Sequence, residues 1–201
     1  MSQELPEAIL TEKVIPVARG LDASTAPVVA RALLDGGIST IEVTVEGSGG
    51  VAAIESLQGL GMTVGAGTVL TVDQAVSAVS AGAVFLVTPH LDQGLVEWGV
   101  ATRVPMIPGG LTPTEIFTAL RLGPAAVKVF PASLGGPDYL RSLLAPYPGS
   151  RLIPTGGIDG GNAAAYVAAG AVAIAVGGWL TAHEDMARIT ERARELRSKV
   201  V

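Results

Sequence analysis

The sequence contains no cysteine and only two histidines in 201 residues. The lack of cysteine excludes disulfides, a thiolate nucleophile and cysteine-ligated zinc. His90 and His183 are far apart in the chain and neither has another histidine nearby, so a histidine-based metal site has little support. We therefore expect neither a metal nor a cofactor.

Charged residues are also scarce. They make up 15% of the chain against 49% hydrophobic residues, and the mean hydropathy is +0.50. So few charges cover the surface of a soluble monomer thinly, which favours an oligomer. The formal net charge is −5 and there is no basic stripe, whereas binding to a phosphate backbone needs clustered Lys and Arg. Nucleic acid is therefore not an expected partner.

Long apolar runs are missing as well. No run approaches the roughly 18 residues that cross a bilayer. Residues 1–13 have neither the charged region nor the apolar region of a signal peptide. The sequence therefore predicts a cytoplasmic protein with no membrane partner.

The chain does contain a repeated unit. After a short helical segment, apolar runs of strand type recur every 21 to 26 residues and alternate with Ala- and Leu-rich helical segments. The eight runs begin near Val14, Thr40, Thr63, Val84, Pro105, Ala126, Arg151 and Ala173. Eight such units predict an α/β protein, namely a closed (β/α)₈ TIM barrel with a short N-terminal helix, as a single domain over residues 1–201.

Local signals agree with this architecture. Thr71, Thr112 and Asp159 are N-cap candidates, and the two threonines have Gln or Glu three residues later, as in a capping box. Glycines that end helices are expected at Gly36-Gly37, Gly82, Gly123 and Gly170. An open doubly wound sheet is the competing architecture, but no GxGxxG motif follows the first strand.

One lysine interrupts an apolar strand. Lys128 lies in the run 126–131, and alternation places it on the same face as Ala126 and Phe130. Burial disfavours a lysine ammonium, and the neutral amine is a nucleophile that forms a Schiff base with a carbonyl substrate. The alternative explanations are an exposed strand face and a salt bridge in the core.

The same alternation places other polar side chains on the inward face. In the run 41–46, Ile41 and Val43 face the helices, while Glu42 and Glu46 face inward. Five strands thus direct one polar side chain each toward a common cavity: Arg19, Glu42, Thr68, Lys128 and Thr155. Because the chemistry of barrels lies at the carboxyl ends of the strands, this convergence predicts an active site.

Each of these side chains suits one task. Glu42 is the inward carboxylate within the strand and fits the general acid/base that Schiff-base chemistry needs. Arg19 suits a carboxylate or a phosphate, with the two threonines as hydrogen-bond donors. Gly156-Gly157 and Gly177-Gly178 end the seventh and eighth strands, where backbone N–H groups of barrels bind phosphate.

Several segments resemble, in order and across residues 14–181, the family of 2-keto-3-deoxy-6-phosphogluconate (KDPG) and 4-hydroxy-2-oxoglutarate (KHG) aldolases. The matching motifs are IEVTV around Glu42, GAGTVL (65–70), VTPH (87–90), PMIPGGLTPTE (105–115), VKVFPA (127–132), PTGGI (154–158) and VGGWL (176–180). The resemblance implies a class I aldolase and a homotrimer. In it, Lys128 forms a Schiff base with pyruvate and Glu42 is the general acid/base.

The resemblance also assigns the substrate contacts. It implies that the two glycine pairs bind phosphate, that Arg19 and Thr68 contact the substrate, and that Phe130 packs against the bound keto acid. The expected substrate is a keto acid, 2-keto-3-deoxy-6-phosphogluconate or a close analogue, cleaved to pyruvate and an aldehyde.

Two positions depart from the family pattern. Glu46 stands where many members have an arginine that helps to bind the pyruvate carboxylate, and Gly178 stands where members often have a serine. Two other functions stay open. One is a phosphate-binding barrel isomerase or epimerase, and the other is a catalytically inactive barrel that binds a sugar acid.

Overall fold

The computed structural model describes residues 3–182 and 185–201, so His183 lies outside the described residues. The strands are β1 (Val14–Ala18), β2 (Thr40–Thr44), β3 (Thr63–Gly67), β4 (Phe85–Val87), β5 (Met106–Ile107), β6 (Gly109–Gly110), β7 (Val127–Val129), β8 (Leu152–Pro154) and β9 (Ile174–Val176). The α-helices are α1 (Glu7–Glu12), α2 (Ala26–Asp35), α3 (Gly50–Ser56), α4 (Val72–Ser80), α5 (Gln93–Thr102), α6 (Pro113–Arg121), α7 (Gly136–Leu144), α8 (Ala163–Ala168), α9 (Gly178–Thr181) and α10 (Met186–Val200). A 3₁₀ turn, Ala132–Leu134, lies between β7 and α7.

The strands pair in parallel, as the alternation of strands and helices requires. They form a six-stranded sheet in the order β5-β4-β3-β2-β1-β9 and a three-stranded sheet in the order β6-β7-β8. The parallel α/β fold and the short N-terminal helix are therefore confirmed, and the strands of the eight units begin within one residue of the predicted positions. The single eight-stranded sheet that was predicted appears here as two sheets.

The two sheets meet at two places. β5 and β6 follow each other in the chain and are separated by Pro108, which has no N–H for a ladder. Its carbonyl still accepts a hydrogen bond from the Lys128 N–H at 2.9 Å. At the other place, Thr155 forms an isolated parallel bridge with Ala175. Because Pro108 has no backbone N–H to donate, the hydrogen-bond ladder is interrupted between β5 and β6.

The buried apolar side chains form two clusters, as alternation along the strands predicts. The outer cluster packs strands against helices and includes Ile41, Val43, Val127 and Val129. The inner cluster includes Ile15, Val17, Phe85, Ile107 and Ile153, together with Leu5 and Ile9 from the N-terminal segment. Because Ile9 of α1 belongs to the inner cluster, the N-terminal helix packs against the inward faces of the strands.

The predicted helix signals are mostly confirmed. The Thr71 hydroxyl accepts a hydrogen bond from the Gln74 N–H, and Thr112 and Glu115 form a reciprocal capping box. Glycines with positive φ follow α2, α4, α6 and α8 within two residues: Gly37, Gly82, Gly123 and Gly170. No helix in the described part of the chain is long and apolar enough to span a membrane.

Candidate active site

A cavity of about 320 Å³ opens at the carboxyl ends of β1, β7, β8 and β9. Eight of the predicted site residues line it: Arg19, Lys128, Phe130, Thr155, Gly156, Gly157, Gly177 and Gly178. The other two, Glu42 and Thr68, are not among its lining residues. The sequence thus predicts eight of the twelve residues that line the cavity.

Lys128 occupies the centre of β7 and is 3% exposed. Its Nζ lies 4.9 Å from the centroid of the Phe130 ring. Within the described part of the chain it forms no ion pair and its side chain makes no hydrogen bond. Both alternative explanations, an exposed strand face and a core salt bridge, therefore fail for this lysine. A buried amine on a cavity wall is placed to react with a carbonyl compound.

Glu42 lies in β2 and is 1% exposed. Burial raises the pKa of its carboxyl group, and the opposing charges of Lys128 and Arg19 do not cancel that effect. Among the described residues, its Oε2 has no hydrogen-bond partner. Lys128 thus acts electrostatically on Glu42, and the carboxyl group keeps its proton at a higher pH than an ordinary glutamate. These are properties of a proton-transfer group.

The carboxyl group of Glu42 lies against β3, and a glycine makes room for it. A Cβ added at Gly67 would be 2.0 Å from Glu42 Oε1, a distance that real Cβ atoms do not show. Gly65 makes room for the Phe85 ring in the same way. Sequence reasoning missed this role of the glycines, although the GxG spacing in a strand is the signal that points to close inward neighbours.

Arg19 follows β1 and forms an ion pair with Glu46, with 2.6 Å between Nη1 and Oε1. The same Nη1 lies 3.5 Å from the Thr68 hydroxyl oxygen. Burial raises the pKa of Glu46, but the hydrogen bonds from Arg19 and Thr68 and the charge of Arg19 lower it more. The inward carboxylate that departs from the family pattern is therefore the partner of the predicted anion-binding arginine.

Regular alternation along β3 does not explain why Thr68 lies near the site. Alternation groups it with Ala66, but Ala66 belongs to the outer cluster and the inward positions of β3 are the two glycines. Thr68 follows the strand with φ of 56°, so the regular alternation ends there. The left-handed conformation places its hydroxyl near Arg19.

The turn after β8 forms another wall. Thr155 is buried, and its backbone N–H donates to Val129 across the sheet. Gly156 and Gly157 have φ of 93° and 73°, a conformation that other residues rarely adopt. A Cβ at Gly157 would also be 2.6 Å from the Cβ of Ser133. Glycine is therefore required here by backbone conformation and by space.

Four further residues line the cavity that sequence reasoning did not assign to the site: Val17, Ile158, Asp159 and Trp179. Asp159 does not precede a helix directly, since α8 begins at Ala163 with Asn162 as its N-cap. Instead its Oδ1 accepts hydrogen bonds from the Gly161 and Asn162 N–H groups. The position of Asp159 directly after the PTGGI motif was the sequence signal that could have assigned it to the site. For Trp179, its position in the VGGWL motif was the corresponding signal.

The described residues contain no group of three or more His, Asp or Glu side chains that could hold a metal ion. The geometry combines a buried amine and glycine turns on the wall of one cavity with a buried carboxyl group whose raised pKa the charge of Lys128 influences. This arrangement can perform covalent chemistry on a small carbonyl compound by means of amino-acid side chains.

Comparisons with known proteins agree with this chemistry. The sequence profile of the family described as "Aldolase: KDPG and KHG aldolase" matches residues 6–192. A 2-dehydro-3-deoxy-phosphogluconate aldolase of Treponema pallidum is 40% identical over 184 residues, which cover 90% of this chain and 88% of that protein.

Solved structures show the same likeness. The 2-keto-3-deoxy-6-phosphogluconate aldolase of Zymomonas mobilis superposes with a TM-score of 0.90 at 30% identity, covering 98% of each chain. A KDPG aldolase of Legionella pneumophila, solved with pyruvate captured as a covalent carbinolamine intermediate, has a TM-score of 0.84 at 30% identity and covers 94% of this chain and 96% of that one.

Proposed function

The chain belongs to the KDPG and KHG aldolase family, and from that premise we propose that Lys128 and Glu42 are the catalytic residues of a Schiff-base aldolase. As members of this family are aldolases, the protein is a carbon–carbon lyase. The observation that carries the residue assignment is the buried amine on the cavity wall, which has no ion-pair partner among the described residues and is coupled electrostatically to a buried carboxyl group. The carbinolamine in the Legionella relative supports the class I mechanism.

The proposed reaction begins when the Lys128 amine attacks the keto carbon of a 2-keto-4-hydroxy acid. The carbinolamine hydroxyl takes up a proton from the solvent and leaves as water, which gives an iminium ion that can accept an electron pair. Glu42 removes the proton of the C4 hydroxyl, the C3–C4 bond breaks, and its electrons form an enamine while the aldehyde leaves. Glu42 then returns the proton to C3, and water hydrolyses the iminium ion to release pyruvate, the free amine and a proton to the solvent.

The other site residues are proposed to hold the substrate. Arg19 would bind an anionic group, with Thr68 and Thr155 as hydroxyl donors. The backbone N–H groups of the two glycine turns, Gly156-Gly157 and Gly177-Gly178, would contact the far end of the substrate, and Phe130 would pack against the keto acid. The close approach of Lys128 Nζ to the Phe130 ring supports that last assignment.

The substrate is proposed to be a 2-keto-3-deoxy acid. The relatives are named as aldolases of 2-keto-3-deoxy-6-phosphogluconate, and a close analogue fits the same chemistry. We also propose that both sheets belong to one eight-stranded barrel forming a single domain, in which β5 and β6 act as one strand. The Lys128–Pro108 hydrogen bond and the bridge between Thr155 and Ala175 support closure. The trimer and the cytoplasmic location stay predictions.

Reductive trapping tests the proposed chemistry. The protein is incubated with pyruvate and sodium borohydride, digested, and analysed by mass spectrometry. The Lys128 peptide should carry the mass of a reduced pyruvate adduct, because borohydride converts a Schiff base to a stable amine.

Lys128→Ala supplies the control for trapping. This variant should neither trap pyruvate nor release it from 2-keto-3-deoxy acids, while its circular dichroism spectrum should match the wild type. An adduct on another lysine, or substantial turnover by Lys128→Ala, would contradict the assignment. An isomerase or epimerase would show no adduct at all.

A further inference from the structure

The mouth of the cavity carries an ion pair between Arg19 and Glu46. Arg19 lines the cavity, and its guanidinium is bound to the Glu46 carboxylate at 2.6 Å. Both side chains are partly exposed, at 58% and 42% respectively, and Arg19 lines the cavity whereas Glu46 lies beside it as the partner of Arg19. The anion-binding arginine is therefore already engaged by an anion of the protein.

Glu46 carries its charge at neutral pH. Burial raises its pKa, but hydrogen bonds from Arg19 and Thr68 and the positive charge of Arg19 shift it downward overall. The charge of Arg19 is consequently balanced before any substrate binds. A second anionic group on a substrate has to compete with Glu46 for the guanidinium and is also repelled by it.

The opposite wall offers little to replace that arginine. The cations among the lining residues are Arg19 and Lys128, and Lys128 is committed to the keto carbon. Asp159 adds a carboxylate to the same wall, and its Oδ1 already accepts from the Gly161 and Asn162 N–H groups of the turn. Because a 2-keto acid brings one carboxylate itself, a terminal phosphate would add charge that no further cationic side chain of the lining balances, and it would depend on the backbone N–H groups of the glycine turns.

We propose that Glu46 is a specificity-determining residue that disfavours substrates with a second anionic group at their far end. It does so by holding Arg19 at the mouth of the cavity and by repelling the additional charge. Within the class of 2-keto-3-deoxy acids, this favours those that end in a hydroxyl over their phosphate esters. The inference rests on the proposed aldolase function and names a residue that sets its substrate preference.

The test compares pyruvate release from 2-keto-3-deoxygluconate and from 2-keto-3-deoxy-6-phosphogluconate. Glu46→Gln should raise kcat/KM for the phosphate ester by about tenfold, through KM, because a charge is removed near a dianion. It should raise kcat/KM for the unphosphorylated acid by a smaller factor, because that acid carries one anionic group fewer, so the preference between the two substrates should shift toward the ester. In an Arg19→Gln background, the same substitution should lose much of its effect on the ester, because part of it acts through Arg19.

Glu4→Gln is the matched control. Glu4 also pairs with an arginine, Arg151, at 2.8 Å, but this pair precedes β8 at the amino ends of the strands. Glu4→Gln makes the same change in net charge as Glu46→Gln and should leave the preference between the two substrates unchanged. Thermal unfolding of Glu46→Gln checks that the variant is folded.

Two outcomes would overturn the inference alone. One is a Glu46→Gln variant whose kcat/KM changes by the same factor for both substrates. The other is a Glu4→Gln variant that shifts the preference between the substrates as much as Glu46→Gln does. A wild-type protein that traps no pyruvate and cleaves neither acid would instead contradict the proposed function itself.

Discussion

At the scale of the residue, the site depends on two ionisable groups that are removed from water. Burial raises the pKa of Glu42, and the nearby positive charges of Lys128 and Arg19 oppose it without prevailing. An unpartnered carboxyl oxygen in the described structure is costly for stability, because it has lost water without gaining another donor. Because burial raises its pKa, the Glu42 carboxyl group can gain and lose a proton nearer to neutral pH than an exposed glutamate can.

The raised pKa of Glu42 predicts the acid side of the pH–rate profile. Glu42 has to be ionised to take the proton of the C4 hydroxyl, so kcat/KM should fall as the pH drops through its pKa, above the ordinary value of 4.5. Glu42→Gln should lose about 10²–10⁴-fold in kcat and no longer show this limb. Steady-state pyruvate release between acidic and alkaline pH measures both. A Glu42→Gln variant that keeps this limb would contradict the proton-transfer role.

The same pKa predicts how stability depends on pH. Because the folded pKa of Glu42 is raised, its protonated form stabilises the fold below the unfolded pKa, and this contribution is lost as pH rises through the folded pKa. Glu42→Gln resembles the protonated form at all pH values. It should therefore match the wild-type Tm at acidic pH and exceed it at neutral and alkaline pH.

Glu115 provides a comparison of opposite sign. Hydrogen bonds from the Thr112 and Leu111 N–H groups and from the Thr112 hydroxyl lower the pKa of Glu115, so its stabilising contribution is present above the unfolded pKa and is lost as pH falls through the folded value. Glu115→Gln should lower Tm at neutral pH and have less effect in acid. Circular dichroism melts across the pH range measure both variants, and equal signs for the two would contradict the argument.

At the scale of the element, β3 shows how a strand can be shaped by the side chain of its neighbour. Gly67→Ala would place a Cβ 2.0 Å from Glu42 Oε1, so the carboxyl group has to move or the strands have to separate. We expect a loss of about 1–3 kcal/mol in the free energy of unfolding, as for overpacking of a core. We also expect a fall in kcat greater than that caused by lower stability alone. Chemical denaturation and single-turnover assays at a temperature where the variant is folded measure the two effects.

Gly94 supplies the matched control for that substitution. It lies in α5, and a Cβ there would meet only Asp92 Oδ1, at 3.5 Å, which is ordinary contact. Gly94→Ala should therefore raise the free energy of unfolding slightly, by up to about 1 kcal/mol, and leave turnover unchanged. If Gly94→Ala and Gly67→Ala behaved alike, the close contact with Glu42 would not be the cause.

The elements also show what could be predicted from the sequence. Strand positions and the inward face of Glu42 and Lys128 follow from periodicity, because alternation holds wherever the backbone stays extended. Thr68 does not follow this alternation, because its φ of 56° ends the extended conformation of the strand. The pairing of Glu46 with Arg19 joins residues 27 positions apart through two loops, and local patterns do not report such a contact. The burial of Lys128 was predictable, whereas only the structure could show that no carboxylate in residues 3–182 and 185–201 pairs with it.

At the scale of the whole molecule, the low charge of the chain has a visible counterpart on the surface. α4 and the residue pair before it expose several large apolar side chains that are not covered in the single chain: Leu70, Val72 and Val76. Val72 and Val76 are one helical turn apart and therefore share a face. A face of this kind, on a chain with 15% charged residues, supports the prediction that copies of the chain associate.

This face allows the predicted trimer to be tested. Val76→Glu would place a charge in an apolar contact between subunits and cost about 2 kcal/mol or more for each contact it disrupts. The wild type should have the mass of three chains by analytical ultracentrifugation, and the variant should shift toward one chain at the same concentration. Val28→Glu, at an exposed valine on α2, is the control and should leave the mass unchanged.

A monomeric wild type would contradict the trimer. Dissociation by Val28→Glu with none by Val76→Glu would place the interface on α2, because a buried charge disrupts only the contact in which it lies.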